Sequence, residues 1–221
     1  MRIVIAGGHG KIARRLSRLL AARGDAPVAV VRNAAHVADV EADGAAAVLL
    51  DLEQVGAAEL APHLDGADAV VFAAGAGPGS GTARKDSVDR GAAVLLADAA
   101  AAAGVRRYLL VSSAGAGAEP PAGTDEVFAA YLRAKTAAEE ALRDRDLDST
   151  ILRPGALTDD PGTGHVRLGT GIPHGAVPRD DVAAVLVALL DEPRTAGLTL
   201  ELSGGAVPVA AAVAAATERE D

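Results

Sequence analysis

Cysteine and tryptophan are absent from the 221 residues, and tyrosine and phenylalanine occur only twice each. Without cysteine there is no disulfide, no thiolate zinc site and no cysteine nucleophile. No uncharged apolar run approaches the roughly 18 residues of a membrane span, and the apolar start, Ile3 to Ala6, meets glycines at once and Lys11 soon after. The expectation is no signal peptide, no membrane partner and a cytoplasmic address. What is plentiful is small and apolar: half of the residues are hydrophobic, and 25 are glycine. A chain of this length can bury roughly 70% of the surface exposed when unfolded. That suits one domain over residues 1–221, with residues 156–221 supplying most of a short substrate-side cap.

The net charge of −9 repels nucleic acid and anionic membranes when spread over the whole surface. Its distribution is uneven. Through Arg32 there are seven basic residues (Arg2, Lys11, Arg14, Arg15, Arg18, Arg23 and Arg32) against one acid, Asp25, so the front end carries +6 and the remainder −15. Lys11, Arg14, Arg15 and Arg18 are expected on a solvated helix face opposite Ile12, Leu16, Leu19 and Leu20.

Short apolar runs alternate with helical stretches, the pattern of a doubly wound α/β fold with a parallel sheet. Strands are predicted at Arg2 to Ala6, Pro27 to Val31, Ala46 to Leu50, Ala69 to Ala73, Arg107 to Val111, Thr150 to Leu152 and Leu198 to Leu202. Their nearly unbroken apolar character implies burial on both faces. Helices are predicted at Lys11 to Arg23, Lys85 to Ala103, Asp125 to Arg143 with Thr124 as cap, Asp180 to Leu190, and near Val209 to Thr217. Gly75 to Gly81 reads as a flexible ligand-facing loop, and Asp159 to Pro178 as a long irregular segment, a candidate lid.

The first strand ends in Gly7-Gly8-His9-Gly10-Lys11-Ile12-Ala13. Glycines there let the backbone turn and approach a pyrophosphate, while helix-terminal N–H groups face the anion. A strand before and an amphipathic helix after the turn support a dinucleotide site. NAD-specific sites carry an acid about 20 residues later to bind the ribose 2′-OH. Here that place holds Arg32, followed by Asn33. A cation suits a 2′-phosphate, so NADP is expected over NAD.

Tyr131 and Lys135 stand four apart in a predicted helix and share one face. An ammonium near a phenol favours the phenolate, and so acid–base work near neutral pH. The pair follows a strand whose end carries Ser112-Ser113. Together with Asp51-Leu52, Phe72-Ala73-Ala74-Gly75, Arg153-Pro154-Gly155 and Arg179-Asp180-Asp181-Val182-Ala183, these motifs span the chain. It resembles the short-chain dehydrogenase/reductase superfamily, in the atypical NAD(P)H-binding branch related to the extended epimerases and dehydratases.

The resemblance implies a Rossmann-type sheet with strand order 3-2-1-4-5-6 and one more strand. It implies that Asp51 and Leu52 border the adenine and that Ala73, Ala74 and Gly75 line the ribose. Ser113 would polarise a carbonyl or hydroxyl, with Ser112 as its alternate and as a cofactor neighbour. Tyr131 would exchange the proton, Lys135 would hold the nicotinamide ribose, and Pro154 and Gly155 would approach the carboxamide. Asp89 best matches the family's fourth catalytic position, commonly Asn; the duller reading pairs it with Arg90 or Arg106. The activity implied is hydride transfer between NADPH and a small carbonyl or alcohol, by a monomer or homodimer. Alternatives are an epimerase or dehydratase, a flavin or quinone reductase, and a non-catalytic NADP-binding sensor. His9, His36, His63, His165 and His174 show no metal-ligand spacing, so no metal is expected; His165 and His174 are weaker substrate contacts.

Overall fold

The computed structural model describes residues 1–77 and 79–218. Its elements in chain order are β1 (Arg2–Ala6), α1 (Lys11–Ala22), β2 (Ala26–Val31), α2 (Val37–Ala42), β3 (Ala46–Leu49), α3 (Ala57–Leu60), β4 (Ala69–Phe72), α4 (Thr82–Arg84), α5 (Ala93–Ala102), β5 (Arg107–Val111) and α6 (Glu126–Arg143). The remainder comprises β6 (Asp148–Pro154), β7 (Ala156–Thr158), β8 (His165–Gly169), β9 (Ala176–Pro178), α7 (Arg179–Leu190), β10 (Thr199–Gly204), β11 (Val207–Pro208) and α8 (Val209–Ala215). The main sheet runs β11-β8-β10-β6-β5-β4-β1-β2-β3. From β3 to β10 every pairing is parallel, which is the Rossmann-type order with β10 as the additional strand.

Strand parity builds the two cores. Ile3, Ile5, Val71 and Leu109 point to one face, where α1, α7 and α8 supply Leu16, Leu20, Val182, Leu186, Leu189 and Val213. Val4, Val70, Phe72, Tyr108 and Leu110 point to the other, against Leu60 of α3, Leu96 of α5 and Leu142 of α6. Each large side chain fully buried in this way contributes about 1.5–3 kcal/mol. Tyr108 buries a polar tip as well, and its hydroxyl donates to the Ala93 carbonyl at 3.0 Å.

The structure departs from the sequence reading in three places that bear on the site. Residues 159–178 are not an irregular lid: β8 pairs antiparallel with β10 and β9 pairs with β7. Val166 is buried between exposed His165 and Arg167, a period-two signal hidden by flanking Gly, Pro and Thr. The helix expected from Lys85 begins at Thr82 and contains a wider π-helical run, Lys85–Ala92, before α5. Such insertions often re-aim side chains at functional sites. The cap of α6 is Asp125, whose Oδ1 accepts from Phe128 N–H at 3.0 Å, while Thr124 donates to the Pro121 carbonyl.

The basic face of α1 is likewise not simply solvated. Arg14 and Arg18 hold the buried Asp43, Arg15 holds Asp180 at the start of α7, and Lys11 reaches Asp159 at 2.5 Å. Among the described residues no helix is long and apolar enough to cross a membrane.

Candidate functional site

At the end of β1 the backbone turns at Gly7, with φ +76°, and a Cβ there would lie 2.5 Å from Ala74 Cα. At Gly8 a Cβ would meet Ala29 Cβ, also at 2.5 Å. These two glycines therefore let the turn sit down on the ends of β4 and β2. Gly10 is different: its backbone is extended, with φ −62°, and a Cβ would meet the Gly7 carbonyl at 3.1 Å and the Ala73 carbonyl at 3.5 Å. Beyond it α1 starts with neither a side-chain cap nor an acid in its first turn. Its free N–H groups and the positive end of its dipole are left for an anion.

A cleft of about 280 Å³ opens beside this turn. Gly7, His9, Gly10, Arg32, Asp51, Leu52, Ala73, Ala74 and Gly75 all lie on its wall. Sequence reasoning missed His36, Glu53, Arg84, Val88 and Ala92, which line it too. Glycines with no room for a Cβ, an uncapped helix start and apolar walls fit a dinucleotide's pyrophosphate and adenine.

Other expected cofactor neighbours are placed elsewhere. Gly8 packs on β2, Ile12 belongs to the core, and Lys11 is turned to Asp159. Asn33 accepts from Ala35 N–H at 3.0 Å, stabilising the turn after β2. Pro154 ends β6, its carbonyl accepting from Ala114 N–H at 2.9 Å. Gly155 has its own reason to be glycine, because the Gly175 backbone passes where a Cβ would stand.

Since Gly10 alone of the three glycines lacks a severe clash, Gly10→Val is expected to leave a folded protein whose dinucleotide affinity falls below detection. Titration calorimetry on a variant with wild-type circular dichroism checks this, and undiminished affinity would place the nucleotide elsewhere.

The rim of the cleft is rich in charge. Arg32, half exposed, contacts Glu53 at 3.2 Å; Arg84 reaches the same carboxylate at 2.7 Å, and Ser87 donates to it at 2.7 Å. The hydrogen bond from Arg84 is the main reason that the Glu53 carboxyl lies below its ordinary range, reinforced by Ser87 and by the charges of Arg84 and Arg32 against the opposing effect of burial. Facing them, the rings of His9 and His36 stack with centroids 3.6 Å apart, and His9 Nε2 lies 2.8 Å from Asp39.

On α6, Lys135 is almost wholly buried. Its ammonium donates to the Val111 carbonyl at 3.1 Å, lies 3.3 Å from Asp89 Oδ1 and sits 5.8 Å from the Tyr131 ring centroid. Asp89 also accepts from Ala76 N–H at 3.2 Å, so one fully buried carboxylate braces both the loop after β4 and the lysine. It does not pair with Arg90, which holds Asp86, nor with Arg106, which holds Asp146 and Asp148.

The two serines part company. Ser112 is buried, and its hydroxyl donates to Glu139 at 2.6 Å. Ser113 is half-buried, with a longer bond to the Ala114 carbonyl at 3.2 Å. The loop that carries it is pinned to α6 where Gly117 N–H donates to Thr136 Oγ1 at 2.9 Å. Lys135 and Tyr131 thus sit together on α6 beside the end of β5, where Ser113 follows two residues after Val111 and Ser112 is turned to Glu139.

Asp181, buried at the start of α7, accepts from the Thr163 and Gly164 N–H groups and from the Thr163 hydroxyl. His165 Nδ1 lies against the Thr163 carbonyl, and His174 is 3.9 Å from Glu201; both rings are exposed. Among the described residues no three His, Asp or Glu side chains gather as metal ligands.

Comparison with known proteins agrees with this architecture. The profile of a family described as NAD(P)H-binding matches residues 7–193. An uncharacterised sugar epimerase of Bacillus subtilis (strain 168) is 36% identical over 214 residues, covering 96% of this chain and 99% of that one. The solved structure of a putative NAD-dependent epimerase/dehydratase from Bacillus halodurans superposes with a TM-score of 0.89 at 34% identity, over 97% of this chain and 99% of the other. An anaerobillin reductase from Escherichia coli O157:H7 superposes with a TM-score of 0.79 at 27% identity, over 92% and 97%. The chain belongs to the NAD(P)H-binding family whose profile it matches over residues 7–193.

Proposed function

We propose that the protein is an NADP(H)-dependent oxidoreductase interconverting a small carbonyl compound and its alcohol in the cytoplasm, as a monomer or homodimer. The observation that carries this reading is the position of Tyr131 beside the buried Lys135 ammonium, 5.8 Å from the ring centroid. The lysine itself is tied to the strand end that leads to Ser113. A sensor would need only the nucleotide half of the site. When bound, NADPH supplies a hydride to the carbonyl carbon. Tyr131 donates a proton to the carbonyl oxygen, and the Ser113 hydroxyl polarises that oxygen and orients it. Lys135, held by Asp89 and the Val111 carbonyl, keeps its ammonium beside the Tyr131 ring. Steady NADPH oxidation with a panel of carbonyls, quinones and flavins tests the reading. No turnover with any of them would leave the sensor in its place.

The names of the Bacillus relatives favour a second reading, epimerisation or dehydration with the cofactor retained. It predicts product formation from a sugar substrate without net NADPH consumption.

The preference for NADP rests on Arg32 and Arg84 at the rim, and it implies a competition. Glu53 already engages both guanidinium groups, so a 2′-phosphate would compete with it for them. Charge-assisted hydrogen bonds contribute about 1.5–3 kcal/mol each, so NADP(H) should bind at least about tenfold more tightly than NAD(H). Glu53→Gln should widen that ratio by removing the competing charge, and Arg32→Ala should collapse it. Equal affinities in the wild type, or a ratio untouched by both changes, would refute the assignment.

A further inference from the structure

Four aromatic side chains serve the entire chain. Phe72 and Tyr108 are wholly buried in the core. The other two stand together near the start of α6, where Phe128 and Tyr131 stack with centroids 5.9 Å apart and 24° between planes. Phe128 is 49% exposed, and Val127 beside it is also exposed. In a protein this poor in aromatics, leaving one of two phenylalanines in water forgoes core burial that would stabilise the fold.

The exposed ring borders a second pocket of about 280 Å³, distinct from the glycine-turn cleft and lined by Gly79, Ser80, Lys85, Asp125, Phe128 and Tyr131 among others. Charge singles out one of these. Of the three lysines, Lys11 is paired with Asp159 and Lys135 with Asp89. Lys85 is matched to no carboxylate among the described residues; it donates to the Gly77 carbonyl at 3.0 Å and lies 5.4 Å from the Tyr131 ring centroid. Asp125, the acid on the same pocket, is engaged as the cap of α6. The pocket therefore offers the stacked rings of Phe128 and Tyr131 and one cation that meets no carboxylate among the described residues.

We propose that this pocket is the substrate site and selects a flat, conjugated carbonyl compound bearing an acidic group. Its ring system stacks on Phe128, its carboxylate pairs with Lys85, and its carbonyl lies toward Tyr131. The inference rests on the oxidoreductase reading for the identity of the reacting group, but not for binding. A carboxylate facing a lysine on a partly desolvated wall forms a charge-assisted bond, and a ring on Phe128 adds dispersion and quadrupole attraction. Neither term would help a neutral aliphatic aldehyde or a sugar.

Two measurements test it. Calorimetry with 2-naphthoate, a planar acid that cannot be reduced, should show binding to the wild type in the presence of NADP. The affinity should weaken about tenfold or more in Lys85→Met and severalfold in Phe128→Ala, with NADP affinity unchanged in both. Steady-state reduction should favour 4-formylbenzoate over benzaldehyde and over succinic semialdehyde, and Lys85→Met should erase the first preference by raising KM. If 2-naphthoate fails to bind the wild type, or binds both variants as well as it binds the wild type, the proposal is overturned. It is overturned as well if Phe128 proves to be covered by a second copy, seen as a dimer in sedimentation velocity that Phe128→Ala dissociates. Binding that depends on Lys85 and Phe128 without any reduction of 4-formylbenzoate would uphold the pocket and remove the oxidoreductase reading. Efficient reduction confined to aliphatic carbonyls would do the reverse.

Discussion

Tyr131→Phe is expected to lower turnover by roughly 10² to 10⁴, the range for losing a general acid–base group, while leaving NADPH affinity nearly unchanged. The substitution removes one hydroxyl and keeps the ring that stacks on Phe128, so a folding defect is not the expected cause of the loss. Lys135→Ala should behave differently. Its ammonium touches the Val111 carbonyl and Asp89 in a buried setting, and removing it strands the Asp89 carboxylate while deleting the field at Tyr131. Turnover and cofactor affinity should fall together, and the protein should lose stability. Stopped-flow and calorimetric comparison of the two variants checks the division of labour. Wild-type turnover in Tyr131→Phe would mean that the acceptor is protonated by water, and the flavin or quinone reductase reading would take over.

The largest expected loss of stability lies at Glu139. This fully buried carboxylate receives Arg153 at 2.5 and 2.9 Å, Ser112 at 2.6 Å and Arg143 at 3.0 Å. Burial pushes its carboxyl upward, but the hydrogen bonds from Arg153 and Ser112, with help from Arg143, outweigh burial and hold it below the ordinary value of 4.5. Taking the charge from one partner of such a buried cluster costs about 3–5 kcal/mol, so Glu139→Gln should lower Tm by roughly 6–20 °C in a protein of this size. The pH dependence has a definite sign. A carboxylate whose folded pKa is depressed contributes stability above its unfolded pKa, and that contribution is lost as pH falls through the folded value. Wild type and Glu139→Gln should therefore differ most above about pH 4.5 and converge below it. Thermal melts from pH 3 to pH 7 measure this, and equal Tm values at neutral pH would show the cluster to be energetically idle. Because Glu139 also holds Ser112, the variant should loosen the strand end beside Ser113.

Several features of this protein were legible before any contact was known. The parallel sheet is written in β-branched runs between amphipathic stretches, and strand parity alone sends Ile3 and Ile5 to one core and Val4 and Ala6 to the other. The glycine turn could be read because its glycines stand together between a strand and an amphipathic helix, although what leaves Gly7 and Gly8 no room for a Cβ is Ala74 after β4 and Ala29 of β2. The placement of Tyr131 and Lys135 on one helix face followed from 3.6 residues per turn.

What the sequence could not convey is the choice among chemically equivalent partners, because that choice depends on side chains far apart in the chain. Ser112 is buried and meets Glu139, 27 residues on, whereas Ser113 is half-buried and meets the adjacent Ala114 carbonyl. Arg32 reads as free for a 2′-phosphate until Glu53 is found beside it. Asp89 read as a partner for Arg90 or Arg106, and instead lies buried in the π-helical run 3.3 Å from Lys135. The basic face of α1 looked solvated because Asp159 and Asp180, which meet Lys11 and Arg15, stand 148 and 165 residues away. Periodicity and spacing specify which face a residue occupies, and only the packing of one element on another decides what it meets there.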